Sequence, residues 1–147
     1  MASYNKILMA LDFHGDNDQI INKGLELVES NNAELFLIHI NEPLAAAYAA
    51  DGMSWGGEIV SLEVNIRKES QVKMSEAGNL LKVDSEHCLL RDGKPAHEIH
   101  ETVKELGIDL IVMGTHGQSG LQLLLGSTAS SVLHGSTCDV LTVRIRD

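Results

Sequence analysis

Hydrophobic residues along this chain follow two rhythms. Residues 5–11 (NKILMAL) run almost continuously apolar after Lys6, and similar runs return at 34–40 (ELFLIHI), 109–113 (DLIVM) and 139–143 (DVLTV). Runs of this length, apolar on successive rather than alternate positions, predict strands buried on both faces of a parallel sheet. The segment 86–91 (EHCLLR) is shorter and more polar, as suits an edge strand. Between these runs the apolar spacing becomes that of helices. Ile21, Leu25 and Val28 share one face after the polar start Asp16-Asn17-Asp18, and Ala96, Ile99, Val103 and Leu106 share another after Pro95. Gly107 stops the second of these helices. Residues 59–81 predict a longer helix with a looser stripe, and 127–134 a short one closed by Gly135.

Strand and helix alternating in this way predict an α/β fold: a single-domain, doubly wound, five-stranded parallel sheet with right-handed crossovers and helices on both faces. The chain reads as one domain over 1–147, with 43–57 (PLAAAYAADGMSWGG) as its long connection. In the strand order 3-2-1-4-5, winding reverses between strands one and four, where open α/β sheets bind ligands. Two loops would meet there: Asp12-Phe13-His14-Gly15 and the glycine-rich stretch from Gly114.

That stretch reads GTHGQSGLQLLLGST over 114–128. It is neither a Walker A loop, since Gly120 to Gly126 spans five residues with no following lysine, nor a G-x-G-x-x-G dinucleotide loop. Two readings stay open. The free N–H groups of the following helix, with the hydroxyls of Ser127 and Thr128, would suit a phosphate; equally, Ser127 would cap its own helix and the glycines would serve only as turn residues.

Composition narrows the partners. The formal net charge is −10, from 21 acidic residues against 11 Lys plus Arg, with neither sign in a long block. Nucleic acid and anionic membranes need clustered cations, so neither is expected to bind. No apolar run approaches the length of a membrane span, which predicts no membrane insertion. Cys88 and Cys138 fall on the two opposite edge strands, about 19 Å apart at four strand spacings, beyond disulfide reach. They read as packing residues of a cytoplasmic protein.

The motifs resemble those of the universal stress protein family, in order and over the whole chain: KILMALD at 6–12, LIHI at 37–40, GKPAHEI at 93–99, DLIVMG at 109–114, GTHG at 114–117, GST at 126–128 and VLHGSTCDVLTVR at 132–144. The resemblance implies a stress-response regulator binding ATP or a related adenine nucleotide with little or no turnover. Some members bind ATP through G-2x-G-9x-G-[ST], and others lack the motif. Carried over, it places Gly114, Thr115, His116, Gly117, Gly126, Ser127 and Thr128 around the phosphates, with Ala10, Leu11 and Met113 at the ends of strands one and four. Asp12 would stand near the adenosine or a Mg²⁺, and the backbone at Ile40 would meet the adenine edge. It also implies a homodimer through the last strand, with Val140, Leu141, Val143 and Ile145 at the interface. The alternative is a dimeric interaction protein of the same family that binds no nucleotide, alone or with a further protein partner.

The sequence departs from the ATP-binding pattern in three places. Eight residues rather than nine separate Gly117 from Gly126, Gln118 stands where a basic residue is common, and no Gly-Ser pair follows Asp12. From Glu105 to Val143 there is no lysine or arginine. A nucleotide would therefore depend on main-chain N–H groups, a helix end and a bound metal, so its binding is expected to be modest and Mg²⁺-dependent. Among the histidines, His97 and His100 read as a solvated helix face rather than a metal pair, and His39 as a satisfied core histidine.

Overall fold

The computed structural model describes residues 4–13, 17–43, 56–115 and 127–145. Their elements run β1 (Lys6–Ala10), α1 (Asp18–Asn31), β2 (Glu34–Asn41), α2 (Gly56–Leu81), a 3₁₀ turn (Ser85–His87), β3 (Cys88–Asp92), α3 (Pro95–Leu106), β4 (Leu110–Gly114), α4 (Ser127–Gly135) and β5 (Asp139–Val143). All strand pairings are parallel, in the order β3-β2-β1-β4-β5, as the sequence predicts. The predicted long connection lies outside the described residues over 44–55. No described helix is long and apolar enough to cross a membrane.

The pleat divides the core in two. Leu8, Ile38, Ile111 and Met113 pack with Ile99 and Val103 of α3 and Ala129 and Val132 of α4. Ile7, Met9, Leu37, Leu110 and Val112 pack on the other side with Ile20 of α1 and Met74 of α2. Alternate residues of a strand point to opposite faces, so an unbroken apolar run is the signature of a strand covered twice. The sheet's middle, Ile7 to Met9 and Ile111 to Val112, is sealed from solvent.

Three sequence expectations shift. The apolar face of α1 is Ile20 and Gly24 with Ile21, Leu27 and Val28 alongside, whereas Leu25 joins neither core cluster. Gly24 holds a buried position because a Cβ there would collide with the Met9 methyl. β1 stops at Ala10, leaving Leu11 and Asp12 beyond its pairing, and the polar edge strand β3 starts two residues later than expected because Ser85–His87 form a turn of 3₁₀ helix. At the other helix ends, Gly107 takes the left-handed conformation (φ 69°) and its N–H donates to Val103 O at 3.0 Å, and Pro95 opens α3.

The amino ends of the strands are cross-tied. Asp109 accepts from the N–H of Asn5 (2.8 Å) and of Lys6 (3.1 Å). Lys6 Nζ donates to Leu106 O (2.9 Å), and Tyr4 Oη donates to Asp139 (2.7 Å).

Candidate functional site at the sheet reversal

β1 and β4 lie side by side, with Ile7 opposite Leu110 and Met9 opposite Val112. From their carboxyl ends the chain leaves in opposite directions, β1 toward α1 and β4 toward α4, whose buried residues serve opposite faces of the sheet. A crevice between diverging loops follows from that topology.

On the β1 side, the backbone beyond the strand is held at nearly every polar group. Leu11 N–H donates to Ile38 O at 2.9 Å, and Leu11 O accepts from His39 Nδ1 at 2.7 Å. Asp12 N–H donates to Asn17 Oδ1 (3.1 Å) while Asn17 Nδ2 donates to Asp12 O (2.8 Å). Phe13 O accepts from Lys73 Nζ at 3.0 Å, and the Phe13 ring lies against the His39 ring, centroids 4.4 Å apart. Asn17 precedes α1 but makes no capping bond to it; its amide turns back to Asp12. The Asp12 side chain is half-buried at the surface end of this segment.

His39 is buried among apolar neighbours, as expected of a core histidine. Its Nε2 stands 3.2 Å from Asn41 Oδ1, and that oxygen accepts from Ser70 Oγ at 3.0 Å. A carbonyl oxygen can only accept, so the proton facing Leu11 O must sit on Nδ1.

On the β4 side, Met113 is buried and the Thr115 N–H donates to Val143 O at 3.0 Å. Gly114 has a packing reason to be glycine: a Cβ would come within 3.1 Å of Ile20 Cδ1 and 3.4 Å of Ile145. Ser127 and Thr128 are exposed at the start of α4. Ala10 and Ile40 pack toward the face that α4 covers, while Leu11 packs toward the other. Thus Ala10, Leu11, Asp12, Ile40, Met113, Gly114 and Thr115 gather at the carboxyl ends of three adjacent strands. His116, Gly117 and Gly126 lie outside the described residues.

The donors fit the expected group in kind. Mg²⁺ is held by one or two carboxylates together with ligand phosphates, and Asp12 supplies a half-buried carboxylate at the end of β1, while Ser127 and Thr128 supply exposed hydroxyls at the start of α4. Among the described residues, no cluster of three or more His, Cys, Asp or Glu could hold a metal unaided. His100 serves packing: its Nε2 donates to Val132 O at 2.8 Å, and His97 is exposed beside Glu98. Sequence reasoning missed Asn17, His39 and Lys73 as partners of the Asp12 segment. Lys73 is a cation drawn from α2, far in sequence from the lysine-free stretch.

Val140, Leu141, Val143 and Ile145 turn their side chains onto this chain's own core, Val140 toward the α3/α4 face and the others toward the α1/α2 face. Among the described residues, no strand pairs with the outer main-chain edge of β5.

Sheet order and two-sided helix cover put the chain among doubly wound, single-domain α/β proteins. The universal stress protein family model matches residues 3–144, and the chain belongs to that family. It is 41% identical over 147 residues to universal stress protein A homolog 2 of Coxiella burnetii, spanning 99% of each chain. Its fold is similar to that of the universal stress protein UspA from Lactobacillus plantarum (TM-score 0.77, 20% identity, 98% of this chain and 100% of that one). A universal stress protein solved in complex with cAMP is also similar in fold (TM-score 0.52, 23% identity, 96% and 97% covered).

Proposed function

We infer that this chain is a stress-response regulatory protein that binds ATP or a related adenine nucleotide between β1 and β4, with little or no turnover. The observation that carries the reading is the anchored Asp12 segment beyond the carboxyl end of β1, where the sheet reverses its winding toward β4. A family relative solved with cAMP supports an adenine nucleotide as the ligand class. The nucleoside would lie against Ala10, Leu11, Asp12, Ile40 and Met113. The phosphates would lie toward Gly114, Thr115, His116, Gly117, Gly126, Ser127 and Thr128, with Asp12 assisting a Mg²⁺. The chain acts in the cytoplasm as a homodimer joined along β5, whose open main-chain edge is suited to strand pairing.

Calorimetry with ATP, with and without Mg²⁺, tests the reading: modest binding that strengthens with the metal is expected, and no heat in either titration refutes it. Sedimentation across a concentration series tests the dimer, which a monomer at every concentration would exclude. The ligand-free interaction protein is the second reading. It is favoured by Gly114, whose missing side chain is explained by Ile20 and Ile145 without any ligand.

A further inference from the structure

The residues flanking Asp12 are tied by side chains from two different elements. Leu11 O is tied from β2 by His39 (2.7 Å), and Phe13 O from α2 by Lys73 (3.0 Å). Asn17 closes on the main chain of Asp12 itself from both sides. A carboxylate used in recognition gains selectivity when its backbone is fixed before the ligand arrives, because less freedom is then lost on binding. We propose that His39 and Lys73 are positioning residues that fix the Asp12 carboxylate for the uncharged, nucleoside part of the ligand. This proposal rests on the nucleotide reading above.

Two features separate this role from simple packing or charge. Lys73 Nζ is also paired with Glu69 at 3.1 Å at the surface, and the Phe13 carbonyl accepts its hydrogen bond at 3.0 Å. Both ring nitrogens of His39 face oxygens that only accept, and the shorter contact, 2.7 Å to Leu11 O against 3.2 Å to Asn41 Oδ1, puts the single proton of a neutral ring on Nδ1, the less populated tautomer of free histidine.

The test compares adenosine with ATP, both without Mg²⁺, so that a metal held by Asp12 does not enter the comparison. Lys73 is half-exposed, so Lys73→Met should fold. We expect it to weaken both ligands by the same factor, about five- to tenfold, the effect of one lost hydrogen bond. Lys73→Arg, which keeps a donor, should stay within about twofold of the parent. In an Asp12→Ala background, Lys73→Met should have almost no further effect, since residues that act through one another are not additive. ATP weakened with adenosine unchanged would make Lys73 a phosphate-charge residue, and additive losses would make it independent of Asp12; either overturns the proposal. Nitrogen-15 spectra of the parent protein at mildly alkaline pH should show His39 in the Nδ1–H form, and an Nε2–H ring overturns it as well. A parent that binds neither adenosine nor ATP, with or without Mg²⁺, refutes the nucleotide reading by itself. In that case the tie is decided by the His39 tautomer and by whether Lys73→Met shifts the resonances of residues 11–13.

Discussion

Helix α4 carries Ser127 and Thr128 at its exposed start, yet its buried residues are Ala129 and Val132. Val132 is fully buried, and its carbonyl also receives His100 Nε2. Replacing Val132 by alanine removes two buried carbons, worth about 1.6 kcal/mol at ~0.8 kcal/mol each. The void left among Leu8, Ile111 and Ile99 adds roughly another 1 kcal/mol. Alanine's better helix propensity returns about 0.5 kcal/mol. The net loss is about 2 kcal/mol, or roughly 4–8 °C in Tm for a chain of this size. Because so little holds α4, the opening should be local. Amide exchange in α4 should speed up by about thirtyfold while amides in β1 change less, and nucleotide affinity should fall with the loosened helix start. Urea titration and hydrogen exchange on the same variant provide the measurement. A stability loss below about 0.5 kcal/mol with α4 protection unchanged would show that Val132 does not anchor the helix, and the packing argument would fail.

Gly135 stands where a Cβ would come within 2.6 Å of His100 Cε1. Gly135→Ala should therefore cost about 1–2 kcal/mol by displacing the ring from Val132 O, and the same substitution on His100→Ala should cost much less in urea titrations. The Tyr4 phenol is held above its usual value of 10.0, first by its hydrogen bond to Asp139, then by desolvation and by the carboxylates of Asp139 and Asp109. Its folded value exceeds its unfolded one, so its contribution to stability is complete below pH 10 and is lost as pH rises further. Ultraviolet titration against Tyr4→Phe should show this ionisation as late, and one that begins early contradicts the Tyr4–Asp139 bond. Burial raises the thiols of Cys88 and Cys138, with Asp84 adding to Cys88 and Ser136 partly offsetting the rise at Cys138. Both should react with a disulfide reagent at mildly alkaline pH about tenfold more slowly in the native protein than in denaturant.

The strands were legible because doubly covered strands write themselves as unbroken apolar runs, as in ILMAL and LIVM; their order was supposed for a doubly wound sheet and agreed with the family resemblance, and no run of residues carries it. Helix α3 was equally plain, since Pro95, the Ile99 and Val103 stripe and Gly107 agree on one answer. Helix α1 was misread at one position of its face: Ile21 and Val28 pack as expected, but hydrophobicity counts Leu25 and passes over Gly24, the position that lies close against Met9. The site was legible as a place and not as a mechanism of assembly. Asp12 and the glycine stretch are local patterns, but the donors to Leu11 and Phe13 come from His39 and Lys73, which only the folded sheet and α2 bring near. Sequence spacing carries no record of a bond from a side chain to a distant carbonyl.

The ties among Tyr4, Lys6, Asp109 and Asp139 have a consequence for how such a molecule can vary. They brace one pole of the sheet with bonds between elements far apart in sequence, so an insertion there would break several at once. At the opposite pole the Leu11–Phe13 segment is tied in the same way, to His39 and Lys73, so change that spares those bonds is left to the other strand-to-helix connections there. Diversification in descendants of this chain should therefore gather at that pole, where new ligand preferences arise without rebuilding the floor beneath them.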